Sequence, residues 1–106
     1  MAIVFGSYTG TQVNTELVPA QPGRIIRVVK LLVSGWTALR LQLIADPSGE
    51  AAPLLPHIHV GPGGLLLGLG RQCAVSTGPG QGLGFTATFQ GAAASFGVAV
   101  WYEVVA

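Results

Sequence analysis

The sequence predicts an all-β protein, an antiparallel β-sandwich of jelly-roll type with about eight short strands. Three observations carry this. Turn signals recur every eight to twelve residues, the spacing of short strands in sandwiches and barrels. Apolar residues alternate with period two through the second half of the chain. No segment has the period and length of an amphipathic helix. With 106 residues, one domain over residues 1–106 is expected, with residues 1–21 as an extended N-terminal arm.

Each element follows from local chemistry. In "RIIRVVKLLVS", Arg24, Arg27 and Lys30 recur every third position, which would also suit a helix. Ile25, Ile26, Val28, Val29 and Val33 are β-branched, however, and favour a strand. Pro22-Gly23 before and Ser34-Gly35 after are turn signals. The segment reads as one long strand with a bulge that resets the alternation. Over residues 37–45, Leu39, Leu41 and Leu43 alternate with Arg40, Gln42 and Ile44, so one face is mostly wet. Asp46-Pro47-Ser48-Gly49 then turns the chain, the Asp46 side chain capping backbone N–H groups.

Glycine dominates the middle. "VGPGGLLLGLGRQCAVSTGPGQGLG" holds nine glycines in twenty-five residues. Its leucines and lack of acids argue for short strands at 65–69 and 72–76 joined by tight turns. "STGPGQG" is a loop, without the Gly-Lys-Ser/Thr ending of a phosphate cradle. In "GLGFTATFQG", Leu83, Phe85, Ala87 and Phe89 share one face. In the last strand Phe96, Val98, Val100, Tyr102 and Val104 share one face, and Ala99, Trp101, Glu103 and Val105 the other. The second face is nearly as apolar as the first. Such a strand lies between two layers or awaits a partner subunit.

Composition bounds function. Half of the residues are hydrophobic and only 8% are charged, against about 25% in ordinary domains. So few charges suggest a surface partly covered by other subunits. The formal net charge of +1 and the absence of a basic stripe exclude a nucleic-acid reader. The charge-free run from Gln72 to Tyr102 is interrupted by Gly, Pro, Gln, Ser and Thr, which argues against a membrane span. "MAIVFGSYTG" has no basic leader, so synthesis in the bacterial cytoplasm without a signal peptide is expected.

No catalytic residue, metal ligand set or cofactor site is assigned. Glu16, Asp46, Glu50 and Glu103 form no acid–base pair on one strand, and no nucleophile elbow exists. The single cysteine, Cys73, cannot form an intrachain disulfide and reads as a small buried residue. "PHIHVGPGG" raises one question. If extended, His57 and His59 point the same way and could hold one metal, as in cupins. The glutamate that cupins place about four residues after the second histidine is here Gly63. Alternatively, His-x-His from three chains can meet on a threefold axis. The plain reading is a strand end, with one histidine bonded to backbone and the other exposed. Trp36, at a turn, reads as a lid on the core, and Trp101 as a core or interface anchor. Sugar stacking is the competing role for both.

The order of segments resembles small all-β virion proteins of tailed bacteriophages and gene transfer agents. Its residues are "PGRIIRVVKLLVSG", "ALRLQLIADPSGEAAPLLP", "GPGGLLLGLG", "GQGLGFTATF" and "GVAVWYEVV", covering residues 22–105. The motifs are strand-and-turn grammar whose value lies in their order. "HIH" and Cys73 fall outside the pattern. The resemblance implies a structural component of a phage-like particle: a head-decoration, head-spike or tail-fibre subunit located in the virion and not an enzyme. It would act by homo-oligomerisation, a trimer first and then a pentamer, and by docking to other virion structural proteins. Two rivals stand beside it. A carbohydrate-binding receptor-recognition module would need Trp36, Trp101 and Tyr8 to converge on a cell-surface glycan. A cupin-like protein would hold metal through His57 and His59 within one chain.

Overall fold

The structure is a computed structural model that describes residues 2–70 and 74–105. Among these residues ten strands follow one another: β1 (Ala2–Thr9), β2 (Gln12–Val18), β3 (Ile25–Gly35), β4 (Leu39–Ala45), β5 (Ala52–Pro53), β6 (Ile58–Val60), β7 (Leu65–Gly68), β8 (Val75–Ser76), β9 (Leu83–Phe89) and β10 (Ser95–Val105). Among the described residues no helix is long and apolar enough to cross a membrane.

The strands form two five-stranded antiparallel sheets. Sheet A has the order β1-β10-β3-β7, with β8 also on β3; sheet B has the order β2-β9-β4-β5, with β6 also on β4. The first strand thus lies beside the last, and the second beside the last but one. The sandwich is all-β, as the sequence predicts, but with ten strands instead of eight. Within the N-terminal stretch, β1 pairs β10 as an edge of sheet A and β2 pairs β9 as an edge of sheet B.

The core lies between the sheets. Sheet A contributes Ile26, Val28, Leu31, Val33, Phe96, Val98 and Val100; sheet B contributes Leu39, Leu41, Leu43, Leu83, Phe85 and Ala87. Burying these alternating side chains removes apolar area from water at about 25 cal/mol per Å². That gain fixes the register, because a one-residue slip would turn each face outward. At one end Tyr8, Phe85, Phe89 and Phe96 form a ring cluster with centroids 4.9–6.1 Å apart.

The bulge in β3 falls at Val29. Trp101 pairs Lys30 and Tyr102 pairs Val28, so Val29 is the extra residue. Val28 and Val29 are both buried, and the Val29 carbonyl accepts the N–H groups of Leu69 and Gly70. The turn after β4 also forms as expected. Asp46 adopts φ 57°, its carbonyl accepts from Gly49 and Ala51, and its carboxylate accepts the Glu50 N–H at 3.3 Å.

The "STGPGQG" loop is docked. Thr77 is buried. Its Oγ1 accepts the Ile26 N–H at 3.0 Å, while its own N–H donates to the Ile26 carbonyl. Gly80 N–H donates to the Arg24 carbonyl, and the Gln81 side chain accepts the Gly78 N–H at 2.7 Å. The loop thereby seals the start of β3.

Candidate functional site

The two outer faces differ in chemistry. That of sheet B is polar: Arg40 and Gln42 on β4 lie opposite Thr88 and Thr86 on β9, and Asn14 on β2 exchanges hydrogen bonds with Thr86. That of sheet A is apolar toward Trp36 and Phe5 and carries Lys30 and the Arg27–Glu103 pair toward its other end. Its cross-strand rows follow from register: Ser7–Gly97–Ser34, then Phe5–Ala99–Leu32–Leu66, then Ile3–Trp101–Lys30–Gly68.

Exposure marks the same face. Ile3 is 48% exposed, Phe5 75%, Leu66 59% and Trp36 89%, whereas on sheet B the one exposed large hydrophobic among the described residues is Val13 of β2. Water gains nothing from such side chains, and they are grouped on one sheet. Their floor is made of small residues, Gly97 and Ala99 on β10 and Ser7 and Ser34 on its neighbours. A depression of about 400 Å³ lies at the end near Trp36, lined by Ser7, Ser34, Trp36, Ser95, Phe96 and glycines. A second, of about 200 Å³, continues toward Phe5, Leu32 and Ala99. Among the described residues no charged side chain lines either. Gly64 helps to shape this end: at φ +113° a Cβ there would strike the Val33 carbonyl.

The tryptophans fall differently from expectation. Trp36 is not a core lid; it stands in solvent just past β3. Trp101 is half-buried on the outer face of sheet A, with Lys30 Nζ 5.0 Å from its ring centre, a cation–π contact. Trp36 follows Gly35, which pairs Phe96; Trp101 lies five residues further along β10, about 17 Å at the usual strand rise. Tyr8 points inward onto Phe85 and Phe96. The three aromatics required for a shared sugar platform do not converge.

The histidines lie elsewhere, on the outer side of sheet B. Both are exposed, whereas Ile58 between them packs against the core. His59 Nδ1 meets Gln90 Nε2 at 3.4 Å, and His59 pairs Arg40 across the sheet. The expected backbone hydrogen bond is replaced by this glutamine contact. Among the described residues no three His, Cys, Asp or Glu side chains group as metal ligands. Glu16 is exposed on β2 and Glu50 on the turn. Glu103 lies 3.5 Å from Arg27. Cys73 lies outside the described residues.

Comparison with protein-family models, curated proteins and solved structures finds no match.

Proposed function

We propose that this chain is a structural component of a phage-like particle, a decoration, head-spike or fibre subunit that works by self-association and by docking to other virion proteins. One observation carries the mechanism. The outer face of sheet A presents Ile3, Phe5, Leu66 and Trp36 over a floor of Gly97 and Ala99, while the opposite face is polar. Small floor residues let another surface approach closely, and exposed aromatics are the side chains that anchor interfaces. The particle setting comes from the resemblance of segment order, and the strand order, first beside last and second beside last but one, supports reading the sandwich as a jelly roll. A trimer is the favoured assembly, then a pentamer, because virion fittings sit on such axes.

Native mass spectrometry of the purified chain, before and after chelation, tests this. The expected result is a discrete oligomer whose mass chelation leaves unchanged. A monomer at every concentration overturns the assembly mechanism. Absence of the chain from purified phage-like particles of the producing cell overturns the setting.

A second reading has its own observation. Trp36 stands beside a depression carrying the hydroxyls of Ser7, Ser34 and Ser95 and no charge, a combination suited to a neutral sugar ring stacked on indole. Titration with neutral saccharides, followed by Trp36 indole NMR shifts, tests it; no shift at millimolar sugar rejects it.

A further inference from the structure

A sandwich of two open sheets has four edges, and an open edge invites another strand. Natural proteins blunt edges with short strands, charges, prolines or bulges. Three of the four edges here are treated in that way. On sheet B, β2 carries two register breaks within seven residues, with Asn14 at φ 49° and Glu16 on the strand. The other edge of sheet B is split into β5, two residues ending in Pro53, and β6, three residues centred on His59. The far edge of sheet A is likewise split into β7, four residues, and β8, two residues.

The fourth edge is β1, and it has none of these devices. Its eight residues, "AIVFGSYT", pair β10 without a register break. It contains no charge and no proline. Among the described residues no strand pairs its other side. Ile3 and Phe5 stand exposed on the same strand.

We propose that β1 joins two copies of this chain edge to edge, antiparallel about a twofold axis, so that sheet A of one continues into sheet A of the other. This rests on the self-association reading and names its contact. The row of unpaired backbone N–H and C=O groups is a template for an extended strand, whose hydrogen bonds an apolar lid could not supply. A second β1 fits because identical uncharged strands do not repel, and antiparallel pairing is self-complementary, as a twofold interface requires. Such pairing keeps the two outer faces on one side. Ile3 and Phe5 of both copies then join one apolar stripe across the seam. The contact links copies in twos, so it doubles whatever oligomer the face of sheet A builds.

The test is native mass spectrometry and backbone hydrogen–deuterium exchange of the intact chain across a concentration series. The expected result is an assembly with an even number of copies, in which β1 amides become protected on association. Ala2→Lys places a charge on the edge at an exposed position of β1 that is outside the apolar rows of the outer face; it should halve the mass and abolish the β1 protection while near-UV circular dichroism stays native. Val13→Lys, at the 69% exposed Val13 of β2, should change neither. A monomer at all concentrations overturns both this inference and the assembly reading. An oligomer whose β1 amides exchange as fast as in the dilute chain overturns the edge contact alone. Dissociation by Val13→Lys with Ala2→Lys silent does the same.

Discussion

The ring of Tyr8 meets the ring of Phe85 edge to face, with centroids 4.9 Å apart. Tyr8 belongs to β1 of sheet A and Phe85 to β9 of sheet B, so this contact ties an edge strand to the middle of the opposite sheet. Edge-to-face pairs contribute roughly 0.5–1.5 kcal/mol beyond the area they bury. Tyr8 is only half-buried, so Tyr8→Ala should cost less than the roughly 3–5 kcal/mol of a fully buried aromatic. We expect a loss of about 2 kcal/mol in urea unfolding, together with faster amide exchange along β1. Equal exchange in both proteins would mean that β10 alone holds β1 in place.

Thr77 secures the loop that the sequence presents as a plain connection. Thr77→Val keeps the shape but leaves the Ile26 N–H without its acceptor. An orphaned buried donor costs roughly 1–3 kcal/mol. Thr77→Ser keeps the oxygen and should restore most of that loss. Thermal unfolding of the pair checks this, and equal destabilisation by both variants would assign the role to the methyl group instead.

These two sites show what the sequence makes legible. Strands β9 and β10 are plain in it because apolar residues alternate along them, and burial follows the pattern over 85–88 and 95–100. The β3 bulge is legible as two adjacent buried valines. Strand β1 is not, because Ile3 and Phe5 on its outer side are as apolar as Val4 on its inner side, leaving no wet face to mark the period. Strand β2 is hidden by its two register breaks. The outward stance of Trp36 is a tertiary fact: a turn beside "SGW" does not say which way the indole will face. The Thr77 contact joins residues 51 apart, and no local pattern encodes it.

Gly84 marks a close approach between β2, β9 and the turn after β4. A Cβ there would lie 2.5 Å from the Thr15 carbonyl oxygen and 2.7 Å from Pro47 Cβ. Neither neighbour is a flexible side-chain tip, so backbone must shift. Overpacking of this kind costs roughly 1–3 kcal/mol. We expect Gly84→Ala to lower the urea midpoint with its slope unchanged, whereas an alanine at Gly91, where the added Cβ meets nothing within 4 Å, should leave the midpoint in place.

The histidine pair makes a different demand. His59 sits across from the Arg40 cation and in contact with Gln90, neither of which favours a bound divalent ion. Addition of a chelator should leave the melting temperature unchanged, and His57→Ala with His59→Ala should move it by no more than exposed substitutions do, about 0.5 kcal/mol. A chelator-sensitive melting temperature that the double variant removes would establish a metal site.

Trp36 separates stability from association. Its indole is 89% exposed, so the folded monomer gains little from it. Trp36→Ser should therefore change monomer stability by about 0.5 kcal/mol or less. If the outer face of sheet A is an interface, the same variant removes a large aromatic anchor, of the kind whose truncation costs 2 kcal/mol or more at a hot spot. That corresponds to a roughly thirtyfold weaker self-association. Sedimentation equilibrium of wild type and Trp36→Ser, alongside urea unfolding of each, reads both quantities. Weaker association with unchanged unfolding assigns Trp36 to the interface; unchanged association moves the interface away from this end of the face and leaves the indole to the serine-lined depression beside it.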